Sequence, residues 1–451
     1  LTRTIRNHLD FKPMKIHLRP FSPWLRWTLS ILVAIAILYI FWYDLVDTFF
    51  HKGKDDPSGE LLKVVLTAAG GILLFMTYNA TLKRAKAAED TAKSQLEGNQ
   101  IQRFNQAIEH LGNGSPTVRM GGIYTLHGIA FDIQKNQGSR EEIKRICDIL
   151  CSYVRDQARL EQPLSSFRDL SPIDEVKYLD RPASIDIQAV LNLLFKQPDA
   201  NLYFEFLKDL HSTNLTNINL SEAVVHNTIL NRSLMYNTVF GGSKFSSLLI
   251  HQGLILKTIF TECQFENSEF SLCIIKDGHF QENSFSGVKF LKSDFTQIDF
   301  DHSTLEIVDF SQSNFLNSII LTQCKITNSI FSSVHAFRTN FAQSIINQTG
   351  FHGSVFMDSI FNYTKLESVS FHGANLENSN LDHSQAIREV DFDDTSLKSC
   401  AIIDADLSGA ISLTIEQLLR ARSLHRSTGL SEETLKALKE KKPELFQNPV
   451  A

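Results

Sequence analysis

From Leu210 onward the chain places an apolar residue at every fifth position. A helix repeats its buried face near every 3.6 residues and a strand every 2, so neither alone explains five. The stretch SGVKFLKSDFTQIDF, residues 286–300, is the plainest case: Phe290, Phe295 and Phe300 follow Phe285. Stepping by five from Leu210 gives twenty-three consecutive apolar positions, among them Phe310, ending at Ile320. The next step meets Lys325. The register resumes at Ile326 and runs for twelve positions, through Phe351, Phe356 and Phe361, to Leu381. A second one-residue slip, near Gln385, leads to Ile387 and a last run of five ending at Leu407. The forty centres include most of the chain's unusually numerous phenylalanines, 33 in all.

Two residues before each centre the side chains are mostly small, as at Ala223, Ser243, Ser293, Ser344 and Ala405. Cys263, Cys273, Cys324 and Cys400 fall in the same column, so four of the six cysteines fill space as small apolar residues. A chain that turns about 90° every five residues closes a square coil after four units. The large and small columns point inward, and the remaining polar positions face water. Coils stack at the sheet spacing of roughly 4.8 Å, so about ten of them make a rod on the order of 50 Å long. A sandwich of alternating strands would show a period of two and regular turn signals, and neither is present.

Upstream lie two charge-free apolar runs, Trp27 to Tyr43 and Val64 to Leu82. Each is near the roughly 20 residues that cross the hydrocarbon core as a helix. Arg3, Arg6, Lys12, Lys15, Arg19 and Arg26 precede the first, and Lys83, Arg84 and Lys86 follow the second. The connecting loop is acidic. Basic flanks stay on the cytoplasmic side, so both termini are expected there and the loop outside. Ala68, Gly70 and Gly71 in the second run permit close helix packing against the first run or against another copy, leaving self-association through the spans open.

Between the second run and the repeat the pattern is helical. The second span is expected to run on at least to Gly98, and a small helical domain to occupy residues 100–200. Cys147 and Cys151 stand four apart without two further ligands nearby, which fits two buried thiols better than a metal site. His110 and His127 read as ordinary packed histidines. The full division is 1–26 basic cytoplasmic segment, 27–82 two spans with an acidic loop, 83–99 juxtamembrane helix, 100–200 helical domain, 201–412 repeat, and 413–451 C-terminal helical cap and tail.

TNLTNINLSEA (213–223) and SVSFHGANLENSNLDHS (368–384) resemble the consensus of the pentapeptide repeat family. That resemblance implies a right-handed quadrilateral β-helix. RFNQAIEHLGNGSPTVRMGGIYTLHGIAFD (103–132) and SIDIQAVLNLL (184–194) resemble the helical segment of bacterial membrane-anchored members, and LTIEQLLRARSL (413–424) resembles the family's closing helix. The implied whole is a mainly β chain: a solenoid preceded by two transmembrane helices and a small α-helical domain, in the bacterial inner membrane, and closed by a capping helix.

The residues offer no active site. GxxxxGK, GxSxG and HExxH are absent, as is any acidic cluster with metal spacing. No catalytic, cofactor or metal residue is assigned. Residues 201–413 carry 23 Asp and Glu against 12 Lys and Arg, which disfavours nucleic acid as a partner. The readings left are a scaffold for an unnamed protein partner, a membrane effector that perturbs the bilayer, and a DNA mimic that binds topoisomerase, as some soluble members of the resembled family do.

Overall fold

The computed structural model describes residues 33–37, 39–44, 57–160, 164, 184–196 and 202–448. The basic segment 1–26, most of the acidic loop and nearly all of 161–183 lie outside them. Of the first apolar run, Val33–Ile37 and Tyr39–Tyr43 are helical. The chain divides into two compact units, Leu1–Gly98 and Asn99–Ala451.

Helix α1 spans Pro57–Leu111 without a break. Gly98 does not interrupt it, since one glycine costs only about 1 kcal/mol against the cooperativity of a long helix. It contains Lys63–Leu111, the one helix among the described residues long and apolar enough to cross a membrane, with a mean hydropathy of 1.5 in its most apolar window. No residue of that window is buried.

In the second unit, α2 (Pro116–Lys135), α3 (Arg140–Gln157) and α4 (Ile185–Phe195) pack on one another. Their apolar stripes meet at Ile123, Leu126, Ile146, Leu150, Val190 and Leu194, all buried. Gly122 lets α2 reach the end of α1: a Cβ there would stand 2.6 Å from the Ala107 carbonyl oxygen. Cys147 and Cys151 are buried in the same core, side by side on α3.

From Lys208 the chain winds as a parallel β-solenoid of about ten coils. Residues pair with those twenty positions on, Phe245 with Phe265 and Phe265 with Phe285, so each coil holds four units of five. The four units build four parallel ladders. Ladder I begins at Leu210, II at Leu215, III at Leu220 and IV at Val225. Two residues past nearly every centre the backbone turns through positive φ, as at Glu222 (60°), Asn267 (46°) and Ile307 (56°). The corner demands this left-handed conformation of whatever residue stands there.

The two register slips sit elsewhere than the apolar count places them. Ile320 is not a centre. Leu321 is the buried one, and the extra residue is Leu316, pushed outward in a bulge where Thr296 pairs with Asn317. Likewise Ala386 takes the inward position, and Ile387 is extruded, with Glu367 paired to Arg388. Both bulges follow a centre directly, which keeps the inward residue and expels the next one.

Both ends of the solenoid are covered. At the first coil the Gln188 side chain of α4 donates to the Asn219 carbonyl (2.8 Å) and accepts from the Asn219 N–H (2.9 Å), standing in for a missing strand. Lys208, buried, donates from Nζ to the carbonyls of Phe204, Phe206 and His226, each at 2.9 Å. At the other end α5 is only Ile415–Leu419, shorter than the closing helix expected over 413–424. The Thr414–Gln417 capping box starts it. The chain then adds one more partial rung, with Ala401 opposite Ser423 and Asp406 opposite Thr428, before α6 (Glu432–Lys441). Leu418, Leu424, Leu438 and Leu445 seal this end.

Candidate interaction surface

The solenoid interior is packed with rings. Phe285, Phe290, Phe295, Phe300, Phe310, Phe351, Phe356 and Phe361 have no exposed surface. On ladder I, Phe270, Phe290, Phe310, Phe331 and Phe351 stack with centroids 4.9 to 5.0 Å apart, one ring per coil. Neighbouring ladders meet edge to face, as Phe290 and Phe295 do at 5.5 Å. These are the favoured aromatic arrangements.

The small column does more than fill space, which residue size alone did not reveal. Ser303 donates from Oγ to the Phe280 carbonyl at 2.8 Å and accepts the N–H of Asn283 at 3.1 Å. Ser293 likewise donates to Phe270 O (3.2 Å) and accepts from Cys273 N (3.0 Å). Buried backbone groups at the corners are satisfied by these hydroxyls. Cysteine substitutes in part, with Cys263 Sγ donating to Phe240 O at 3.0 Å. Burial pushes the thiols of Cys263, Cys273, Cys324 and Cys400 up to about 12, so they stay protonated and unreactive at neutral pH.

In the helical domain, sequence reading missed a buried polar cluster. Arg119 Nε of α2 donates to Asp186 Oδ2 of α4 at 2.6 Å and to Tyr153 Oη of α3 at 2.9 Å. Tyr153 and Ser184 also donate to the same carboxylate. Asp186 is fully buried, and burial alone would raise its pKa. The hydrogen bonds from Arg119, Ser184 and Tyr153 outweigh that and hold it at about 2. The Arg119 guanidinium also donates to the carbonyls of Asn113 and Gly114, both at 3.1 Å. Every partner is internal, so the cluster ties three helices together and presents nothing to a ligand. Its members lie 34 and 67 residues from Arg119, and no local motif announces them.

What remains available is the outside of the ladders. On ladder III the outward positions hold Glu222, Glu262, Glu282, Asp299, Asp301, Asp382 and Asp404, with no lysine or arginine in the units of that ladder. Ladder IV, by contrast, alternates Lys244, Lys325, Lys365 and Arg388 with Glu266, Glu306, Glu367 and Glu389. Much of the repeat's negative balance therefore collects on one face. Asp404 is paired with Arg426 of the cap at 2.8 Å. Asp299 accepts from Gln281 and Asp301 lies beside His302, both within ladder III. Part of ladder II is unavailable: Leu234, Leu254 and Leu256 are buried beneath Leu160 and Leu164.

On α1, Gly70 and Gly71 have open space where a Cβ would stand, and Ala68 is exposed. Nothing among the described residues packs against them.

No family model matches the chain, and no curated protein matches it. Among solved structures it is similar to QnrB1, a plasmid-mediated fluoroquinolone resistance protein, at 18% identity and a TM-score of 0.28, over 49% of this chain and 90% of that one. It is also similar to HetL, a pentapeptide repeat protein involved in heterocyst differentiation regulation from the cyanobacterium Nostoc sp. strain PCC 7120. That match has 19% identity and a TM-score of 0.19, over 49% of this chain and 86% of that one. A third is Rfr23, a pentapeptide repeat protein from the cyanobacterium Cyanothece 51142, at 19% identity and a TM-score of 0.09, over 26% of this chain and 59% of that one. The architecture stands on the chain's own register: five residues per ladder and twenty per coil make residues 208–407 a pentapeptide-repeat β-solenoid.

Proposed function

We propose that this protein is a membrane-anchored, non-catalytic scaffold at the cytoplasmic face of the bacterial inner membrane, and that ladder III receives the basic surface of a protein partner. The observation that carries the reading is the one-signed face: seven carboxylates and no lysine or arginine in its repeat units. A regular β face is flat and extended, and such solenoid surfaces serve as contact area. The lumen is filled by rings, so recognition falls to the outside. One-signed charge raises association rates and rejects partners of the same sign.

Two spans, with both termini cytoplasmic, complete the reading. The exposed apolar window within Lys63–Leu111 supports the second span, and the basic flanks at 3–26 and 83–86 support the direction. The coil is right-handed, in keeping with the strong preference of parallel β connections.

The test is capture of partners by the full chain from solubilised bacterial membranes, with Glu262→Lys/Glu282→Lys as the face variant and Glu266→Lys/Glu306→Lys on ladder IV as the control. A partner retained by wild type and the ladder IV variant, lost by the ladder III variant and weakened by salt, is the expected result. Equal retention by both variants rejects the acidic face. If no partner is retained at all, the membrane-effector reading takes its place, and release of a trapped dye on overexpression is the measurement that decides it.

A further inference from the structure

We propose that α1 pairs with α1 of a second copy as a parallel two-stranded coil, with a seam that runs from the apolar stretch into the charged segment 83–97. Among the described residues nothing packs on this part of α1: every residue from Ala80 to Gln102 is exposed, with Leu82 at 46% and Leu96 at 67%, and only beyond it does Arg103 reach Asp132 of α2. A helix uncovered on all sides draws no stability from packing.

Its charges are sorted as a coiled coil sorts them. With Ala85 and Ala92 at heptad position a, Ala88 and Gln95 fall at d, and Tyr78 and Thr81 occupy a and d one heptad earlier. Seven charged residues lie between Lys83 and Glu97, and none falls at a or d. Lys86 and Lys93 are at b, and Lys83, Asp90 and Glu97 at f, the positions that face outward. The remaining two flank the seam. Arg84 is at g and Glu89 at e, five residues apart, which is the spacing at which g of one helix meets e of its parallel partner. Two-fold symmetry makes two such opposite-charge contacts. An antiparallel pair would bring g to g and e to e, arginine against arginine and glutamate against glutamate.

Membrane insertion gives the same direction. On the membrane reading, which this inference rests on, two copies in one bilayer are parallel by insertion. The apolar stretch continues the seam through Val64, Gly71 and Leu74, and small residues there allow close approach in lipid. The chain's own first apolar run is the other neighbour on offer. Pro13, Pro20 and Pro23 stand in the sequence that precedes it, and each lacks the backbone N–H that an unbroken helix beside residues 83–97 would need.

The experiment is oxidative crosslinking of the full chain in native membranes with single added cysteines. The six native cysteines are buried, and the wild-type chain gives the background. Ala85→Cys, Ala88→Cys and Ala92→Cys should each give a disulfide-linked dimer, and Ala87→Cys and Ser94→Cys, at position c, should not. Arg84→Glu in the Ala88→Cys background should lower the dimer yield by roughly tenfold, since two weak attractions become two repulsions. Adding Glu89→Arg should restore it. Crosslinking that is equal at all five positions, absent at all five, or indifferent to the charge swap overturns the proposal. Alkaline extraction of the same membranes reports anchoring separately, so an extractable chain fails the membrane reading and an anchored chain without seam crosslinks fails only the pairing.

Discussion

Phe290→Ala removes one ring from the middle of the ladder I stack. Phe290 has no exposed surface, stacks on Phe270 at 4.9 Å and Phe310 at 5.0 Å, and meets Phe295 edge-on at 5.5 Å. Exchanging the ring for a methyl gives up on the order of 150 Å² of apolar burial, which at about 25 cal/mol per Å² is roughly 4 kcal/mol. Flanking coils cannot close the gap, because each backbone is held at sheet spacing by its own ladder bonds. The expected cost is therefore at the upper end of core truncations, about 4 kcal/mol. Coils interact with their nearest neighbours, so the loss should be concentrated around the coils that carry Phe270, Phe290 and Phe310. Amide hydrogen exchange of the full chain in detergent reads this directly. Peptides from residues 268–312 should exchange roughly a thousandfold faster through opening of those coils, at one decade per 1.4 kcal/mol. Ile345→Ala, at an outward position that is 50% exposed, is the comparison and should change exchange by only a few fold. A Phe290→Ala effect below tenfold, or one matched by Ile345→Ala, would refute the claim that the ring column holds the coils together.

Two further outcomes follow from the geometry. Asp186 lies at about 2 in the folded protein, below its usual 3.8, so its contribution is complete above about pH 4 and is lost as pH falls from there toward 2. The stability gap between wild type and Asp186→Asn should shrink by about 2 kcal/mol across that window, read by melting the full chain at stepped pH, and a constant gap would show the carboxylate is not ionised by its partners. Deleting Leu316, the residue extruded by the first bulge, should be nearly neutral in the same melts, whereas deleting Thr296 on the coil beneath should be strongly destabilising, because it inverts every inward residue up to the next corner; equal penalties would place the insertion elsewhere.

The period of five was legible because one requirement recurs in every unit: a large inward side chain, a small one two residues earlier, and a corner that tolerates polar residues. The slips show where that rule weakens. Around residue 320 the sequence offers Ile320 preceded by Ser318, which satisfies large-after-small, yet the chain buries Leu321 with Ile319 in the small column. Val288, Ile298 and Val308 occupy that column too, so its size limit is looser than serine and alanine imply. At the second slip the small column was the better guide. Ser384 stands two before Ala386, the true centre, and Gln385 two before Ile387, but a row of large centres made Ile387 the more attractive choice. The Arg119–Tyr153–Asp186 cluster was beyond such reading altogether, because an arginine and an aspartate on amphipathic helices look like surface residues until the helices are packed.

The acidic face lies between these cases. The negative balance of the repeat was plain from composition, but composition is silent on where charge sits. Wrapping the sequence at twenty residues per coil, with an extra residue at Leu316 and at Ile387, collects Glu222, Glu262, Glu282, Asp299 and Asp301 in the early coils of ladder III and Asp382 and Asp404 in the late ones. Ile320, Asn340 and Ile360 separate the two groups on the same ladder, so the negative charge lies in two clusters along the face rather than uniformly. Asp404 is answered by Arg426 from the cap, which leaves the early coils as the stretch with five carboxylates and no cation in its own units. That is why the charge reversals belong at Glu262 and Glu282. They stand at corners where φ is positive and the side chain is exposed, so a lysine there changes the sign of the surface without touching the ring column beneath it.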